Sequence, residues 1–315
     1  MAETFPRASA ASWHSGYFLA ALGALLFSTK GILVKLAYGE GGTPEVDAIT
    51  LLALRMAFSL PFYAVIGFLG WKASAARGGP PPSRRQLVNA VLVGLLGYYA
   101  SSYLDFAGLQ YLSAQFERLI LMTYPVFVTL LGALFFGGRL TLWGLGALVV
   151  SYSGIVFIFA AGATSKGDNV MLGVALVVGA SFTYALYNLT ARPLVASIGT
   201  RVFTSIAMLA ACASVLLHFM AGRSLLQLAT APPRAIGLAA VMAITSTVLP
   251  SFMISAALAR VGPQAVSMIG TISPVATIVM AMAILGEPFT AADAAGTALV
   301  IAGVGLFTYH DARRR

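Results

Sequence analysis

Charge is scarce in this chain. Only 9% of its 315 residues are Asp, Glu, Lys or Arg, where a soluble protein carries roughly 25%. With 59% of residues hydrophobic and a mean hydropathy of +0.89, the apolar surface is too large to hide in soluble cores, and the bilayer is the expected solvent. Cysteine is scarcer still. Cys212 stands alone, which excludes an intrachain disulfide and a cysteine-built zinc centre; in its apolar run it reads as a small buried hydrophobe. The three histidines, His14, His218 and His310, fall near the ends of apolar runs, and none stands with a serine and an aspartate in a triad pattern. The phosphate-cradling G-x-x-x-x-G-K-[ST] loop is missing. These absences weigh against an enzyme: no catalytic residue, metal site or cofactor is expected. The net charge of +9 does not carry a nucleic-acid reading, because the basic residues are dispersed and the only run is Arg313–Arg314–Arg315. No cleavable signal peptide is expected: the first apolar stretch is long enough to span, and Lys30 interrupts it in place of a small-residue cleavage site.

What the chain does have is long apolar runs. A span needs about 20 mostly apolar residues. Ten are read, near 16–37, 47–71, 86–107, 112–136, 140–161, 170–191, 200–221, 235–257, 262–285 and 290–309. The 32 glycines fit close helix packing in lipid, where small residues let backbones approach. Short connections such as Gly137–Gly138–Arg139 and Gly286–Glu287–Pro288 make neighbouring spans antiparallel. Thr290 followed by Asp293 predicts a capping box opening the last span. The longest polar connection, Lys72 to Arg85, contains Pro80–Pro81–Pro82 and is a loop.

The runs also repeat. Residues 113–154 align without a gap on 262–303, so that Gln115 falls on Gln264, Pro125 on Pro274, Val126 on Val275, Gly137 on Gly286, Thr141 on Thr290 and Gly154 on Gly303. Lysine and arginine in the loops set the orientation. With the N-terminus in the cytoplasm, Arg7, Lys72, Arg77, Arg84, Arg85, Arg139, Arg192, Arg201, Arg260 and Arg313 to Arg315 lie inside, against Lys166, Arg223 and Arg234 outside. Both termini are therefore expected in the cytoplasm. Five spans per half is an odd number, so the second half lies upside down relative to the first, which is the basis of alternating access. The expected fold class is an all-α integral membrane protein: ten transmembrane helices in two inverted five-helix repeats, 16–161 and 162–309, between cytoplasmic tails 1–15 and 310–315.

Ionisable groups inside spans cost about 2.5 kcal/mol or more at mid-depth, so each is a functional candidate. Lys30, Arg55, Asp105, Glu117 and Arg118 all fall within roughly 12 Å of the outer boundary of the first repeat, at a 1.5 Å rise. The repeat partners Ile254, Val266 and Ser267 are uncharged. Lys30 is the candidate to meet a substrate carboxylate. Arg55, Asp105, Glu117 and Arg118 read as outer-gate ion pairs, or alternatively as snorkelling or helix-locking pairs; Lys35, near its helix end, reads as snorkelling. Tyr98, Tyr99, Ser102 and Tyr103 of the third span, Tyr184, Tyr187 and Asn188 of the sixth, and Ser246, Ser251 and Phe252 of the eighth are candidate lining for a substrate cavity, suited to a planar ring held by stacking and edge contacts. Each hydroxyl alone could instead bond back to its own helix. Pro125 and Pro274 each free a backbone carbonyl and are candidate bending points for gating, or static kinks.

Together the paired proline-bearing runs resemble the drug/metabolite transporter superfamily, specifically its ten-helix members with paired EamA domains. The second copy carries the fuller match, in P-V-A-T-I-V-M-A-M-A-I-L-G-E-P-F-T with Pro274, Gly286, Glu287 and Thr290; the first copy has Gly138 where the family commonly has Glu. That departure favours a turn and cap role for Glu287. Leu54–Arg55 and Phe182 to Tyr187 also look like the family pattern. The resemblance is nearest to the YddG-like branch, which implies export of aromatic amino acids and related metabolites without cofactor or ATP. The expectation is a monomeric secondary transporter of the bacterial inner membrane, its partners a small-molecule substrate and the lipid bilayer. A carrier of another small solute, such as a drug or a nucleotide-like or phosphorylated metabolite, is the alternative; an intramembrane enzyme or a channel ranks below it.

Overall fold

The computed structural model describes residues 10–39, 45–78, 81–135, 142–161, 169–254, 256–257, 260, 269 and 272–312. Every regular element among them is helical. In chain order these are α1 (Ala10–Tyr38), α2 (Ala48–Ala76), α3 (Arg84–Gly108), α4 (Ala114–Leu121), α5 (Tyr124–Phe135), α6 (Leu142–Ala160), α7 (Val170–Ile198), α8 (Thr200–Met220), the short α9 (Leu226–Ala229), α10 (Pro233–Ile254), α11 (Ile272–Leu285) and α12 (Ala291–Ala312). Among the described residues seven helical segments are long and apolar enough to cross a membrane: Ser15–Tyr38, Ala48–Ala76, Arg84–Gly108, Ala114–Phe135, Val170–Ala191, Thr200–Met220 and Pro233–Ile254. Val149–Ala160, Ile272–Leu285 and Ala291–Gly303 are shorter apolar helices. Large apolar side chains such as Phe18, Phe68, Leu92, Phe135 and Val149 face outward, as a lipid-facing surface requires and a soluble one avoids.

Local chemistry fixes several ends. Ser83 opens α3 with a reciprocal capping box: Gln86 N donates to Ser83 Oγ at 3.3 Å, and Ser83 N donates to Gln86 Oε1 at 2.8 Å. The box expected at the last span is present, with Thr290 N donating to Asp293 Oδ2 at 2.8 Å and Asp293 N to Thr290 Oγ1 at 3.2 Å. The expected end of the sixth span near 191 is not where α7 stops. The helix carries on through Arg192 and Pro193 to Ile198 and ends at Gly199, whose φ of +81° only glycine adopts at no cost.

Two departures from simple helices were not legible in the sequence. Leu95–Ala100 of α3 and Ala243–Val248 of α10 are single π-helical turns, which widen a helix locally and leave carbonyls out of register. The first of them presses Gly97 against α7, where a Cβ would lie 2.2 Å from the Tyr187 ring. The fourth span is also broken, by a turn at Met122–Thr123 between α4 and α5. Pro125 lacks the N–H that would bond the Leu121 carbonyl. The Ser181 hydroxyl of α7 lies 3.2 Å from Ile120 O and 3.4 Å from Leu121 O, and Thr123 Oγ1 donates to Ile120 O at 2.6 Å. Protein hydroxyls thus satisfy the carbonyls that lipid would leave bare.

The helices pair in a definite pattern. α6 lies along α12 and α2 along α8; α3 packs on α7 and α8; α1 packs on α10 and α11; α10 also meets α2, and α5 meets α7. The short α4 is wedged among α1, α7 and α11.

Candidate functional site

A cluster of charged side chains lies inside this bundle. Lys30 on α1, Arg55 on α2, Asp105 on α3, and Glu117 and Arg118 on α4 are all buried; Glu117 is 1% exposed, Arg118 3% and Lys30 6%. Lys30 is its hub. Its Nζ donates to Asp105 Oδ2 and stands 3.6 Å from Glu117 Oε1. The partner of Glu117 is therefore Lys30, and the nearest carboxylate to Lys30 comes from the protein itself. Gly31 faces the same carboxylate, where a Cβ would stand 3.4 Å from Glu117 Oε2, an ordinary van der Waals contact.

The two arginines are held differently. Arg118 Nη2 donates to Ser273 Oγ on α11, and its guanidinium lies 5.3 Å from the centre of the Phe27 ring. Arg55 lies over the Phe106 ring at 4.7 Å. Among the described residues neither has a carboxylate oxygen within 4 Å, and Arg55 Nε and Arg118 Nε have no hydrogen-bond partner. The Asp105 and Glu117 carboxyls also lie against each other, and among the described residues Asp105 Oδ1 and both Glu117 oxygens have no other hydrogen-bond donor. With three cations and two carboxylates, the cluster carries one formal positive charge in excess. Stacking on a ring face offsets part of an arginine's desolvation but supplies no counter-charge.

Ser273 ties the cluster to the second half of the chain. Ser28 Oγ and Ser273 Oγ are 2.6 Å apart, Ser28 Oγ is 2.7 Å from Ala24 O, and Thr277 Oγ1 donates to Ser28 O at 3.3 Å. Counting the helical rise along α11, Ser273 lies about 18 Å from that helix's C-terminal end. No local sequence signal singled out Ser28, Ser273 or Phe27, because their partners are brought together by helix packing.

The aromatic candidates divide into separate groups. Tyr184 and Tyr187 stack at 5.7 Å and 19°, Tyr184 meets Tyr124 edge-on at 5.1 Å, and Tyr98 OH pairs with Tyr187 OH at 2.8 Å. Tyr124 and Tyr184 stand on the Arg118 side of the cluster, close enough to feel its charge. Tyr99 and Tyr103 turn away to His218 on α8: Tyr99 OH is 3.0 Å from Nδ1 and Tyr103 stacks edge-on at 5.0 Å. Asn188 and Ser246 bond back to their own helices, at Tyr184 O (2.8 Å) and Met242 O (3.0 Å). Ser251 Oγ lies 3.0 Å from Tyr63 OH, and the Phe252 ring is 6.4 Å from that of Tyr63. Ser102 is half-buried and Pro274 is buried. Thus one cavity wall read from the sequence is at least two patches, one beside Arg118 and one around His218. Of the remaining readings, the side chains of Pro125, His14 and His310, and residues Gly137, Gly138, Arg139, Thr141, Lys166, Gln264, Val266, Ser267 and Arg313 to Arg315, lie outside the described residues.

Both ends of α4 are tied down. Glu287, in the turn between α11 and α12, accepts from Ala114 N at 2.7 Å and from Gln115 N at 3.2 Å, while Gln115 Nε2 donates to Pro288 O at 3.3 Å. A carboxylate here satisfies orphan N–H groups and complements the helix dipole. Glu287 is thus a cap, and it caps a helix in the other half of the chain. Lys35, read as snorkelling, donates to Leu109 O at 3.2 Å. At the same end, Arg223 Nη1 donates to Asp47 Oδ1 at 2.6 Å. Burial alone would raise the Asp47 carboxyl, but hydrogen bonds from Arg223 and Thr50 outweigh it and hold the group below its usual range. Both partners are about two-fifths exposed, 41% and 40%, so this clasp contributes little. An open groove of about 230 Å³ beside it shares no residue with the buried cluster. Among the described residues no group of three His, Cys, Asp or Glu converges as a metal site.

The family follows from two matching segments. The model of the EamA-like transporter family matches residues 14–160 and again residues 171–309. The chain belongs to the EamA-like transporter family. It is similar to "Uncharacterized transporter YcbK" of Bacillus subtilis (strain 168), 28% identical over 277 residues, covering 87% of this chain and 86% of the other. It is also similar to "Uncharacterized transporter YyaM" of the same strain, 22% identical over 223 residues and covering 70% and 73%. A solved structure described only as the crystal structure of a protein superposes with a TM-score of 0.61 at 17% identity, over 96% of this chain and 99% of that one, and supports the fold alone. This EamA chain is a transporter and a multi-pass membrane protein. Neither relative's name carries a substrate.

Proposed function

We propose that this EamA protein is a secondary carrier that exports a small ring-bearing amino acid or a close relative by alternating access, with its site between two inverted five-helix halves. The observation that carries the reading is the buried cluster with one cation in excess, set against Phe27, Tyr124 and Tyr184. A carboxylate would answer the charge and an aromatic ring would find faces and edges to pack on. The three shorter apolar helices complete a set of ten spans. Exchanging the halves turns the α3–α7 contact into α10–α1, α5–α7 into α11–α1, and α2–α10 into α8–α3, while α2–α8 and α6–α12 map onto themselves. The two π-turns also exchange places. That interchange supports a pseudo-two-fold axis of the kind inverted repeats produce. The Glu287 cap and the Lys30 cluster both tie the same end, which supports an outer-closed, inward-open form.

Reconstituted vesicles test the reading. Saturable counterflow of phenylalanine, tyrosine or tryptophan, competed by unlabelled substrate, is the expected result. Unsaturable flux would indicate a pore, product formation an enzyme, and counterflow confined to non-aromatic or phosphorylated solutes another substrate class. Orientation in the bacterial inner membrane has its own test. Cys212 is buried, so a Cys212→Ala background is mild. Cysteine at exposed Ser224, between α8 and α9, should react with an impermeant maleimide on whole cells; cysteine at exposed Ser83 should not. The opposite pattern would turn the topology over.

A further inference from the structure

Three cations are buried in the cluster, and they are not equivalent. Lys30 has Asp105 and Glu117. Arg55 lies over Phe106 among the α2–α8 core residues Leu54, Met56 and Cys212. Arg118 is the one that faces the second half of the chain. It is 3% exposed, its Nε has no hydrogen-bond partner, and Nη2 reaches only the hydroxyl of Ser273. Glu117, its neighbour in sequence, turns to Lys30 instead. Among the described residues Arg118 has one hydroxyl partner and no carboxylate oxygen within 4 Å, and the charges of Glu117 and Asp105 reach it only from further off, which is an expensive arrangement in lipid. Its planar fork has the geometry that matches a carboxylate side-on, and its Nε–H is unused among the described residues. It also sits at the one place where the fourth span is interrupted, four residues before the Met122–Thr123 turn, and where Phe27, Tyr124 and Tyr184 supply apolar walls.

We propose that Arg118 is the seat of the carboxylate of the transported solute, with the Ser273 hydroxyl, hydrogen-bonded to Ser28, as its second contact. This rests on the carrier reading above and moves the anion site away from Lys30, whose charge the protein already answers with Asp105. The Ser273–Arg118 contact joins the two halves, so an anion arriving at Arg118 competes with an inter-half hydrogen bond. Binding then loosens the very contact that must part for the site to change sides.

Two readouts test the assignment, one of them independent of any solute. Arg118→Gln keeps a donor for Ser273 and removes a charge that no carboxylate touches directly. The empty variant should melt a few degrees above the wild type, because a residue kept for binding at the expense of stability releases that strain when neutralised. A helix-locking arginine would give the opposite sign, and a lower melting temperature overturns the proposal. The second readout compares 3-phenylpropanoate, which has a carboxylate and no amine, with phenethylamine, which has the amine alone. Affinity for the carboxylate probe should fall roughly 10- to 100-fold in Arg118→Gln, as expected for a charge-assisted hydrogen bond, with phenethylamine unchanged. Arg118→Lys should recover only part, since it keeps charge without the fork. Equal loss for both probes, or none for either, overturns the assignment. If wild-type vesicles carry no aromatic amino acid, the carrier reading fails for that substrate class, and the melting temperature still decides Arg118.

Discussion

Lys30→Met is expected to remove most of the folded protein. The lysine answers two buried carboxylates at once, and methionine fills similar volume without charge. Losing one partner of a buried ion pair costs about 3–5 kcal/mol, against a total stability of about 5–15 kcal/mol for a typical protein. Here two carboxyls that lie against each other lose the cation both share within 4 Å. The monodisperse peak of a detergent extract should shrink severalfold on size exclusion, and the remaining protein should melt well below the wild type. Asp105→Asn placed on top of Lys30→Met should recover part of the loss, because it removes one of the stranded charges. The expected sign is opposite to that for Arg118→Gln, although both changes delete a buried cation of the same cluster. The difference is whether a carboxylate of the protein touches the cation directly. A Lys30→Met variant as stable as the wild type would mean that Lys30 is not the hub of the cluster.

Much of this architecture could be read from residue order, because its causes are local. Apolar run lengths located α3, α8 and α10 to within three residues, and missed the start of α1 by six and the end of α2 by five. Thr290 and Asp293 announced their capping box at a spacing of three. The scarcity of intramembrane charge picked out Lys30, Arg55, Asp105, Glu117 and Arg118, and all five are buried near one another. What the order of residues did not carry was partnership. Lys30 meets Asp105 from 75 residues away, and Arg118 meets Ser273 from 155; nothing at short range distinguishes these serines from ones that bond back to their own helices, as Ser246 does. The π-turns in α3 and α10 escaped for a related reason, since an inserted residue leaves hydropathy unchanged. The proline at 125 signalled a disturbance, but the turn it produces at Met122–Thr123 depends on Ser181 being in place on α7 to take the released carbonyls. The end of α7 was misplaced because the apolar run gives out at Arg192, which was placed in a loop; the helix carries on through Arg192 and Pro193 and ends at Gly199.

Gly296→Leu is expected to separate α12 from α6 and to be the most damaging glycine substitution in the last helix. A Cβ at Gly296 would lie 2.2 Å from Ile158 Cγ1 and 2.8 Å from Gly154 O. The reciprocal contact is as close, with a Cβ at Gly154 falling 2.6 Å from Gly296 O. The backbones touch here, and in lipid such contact is what holds helices together, because the tails around them are as apolar as the side chains. Ile158 is a side chain and can turn aside, but the Gly154 carbonyl is fixed by its own helix. Overpacking of this kind costs about 3 kcal/mol and forces the axes apart. Gly305, also on α12, has open space where its Cβ would go, so Gly305→Leu should leave the melting temperature and the extract profile unchanged. Gly296→Ala combined with Ile158→Ala should restore only part of the wild-type melting temperature, because it relieves the side-chain clash and leaves the carbonyl one. Full rescue by that pair would place the whole constraint in Ile158, and a harmless Gly296→Leu would mean that α6 and α12 do not meet at these glycines.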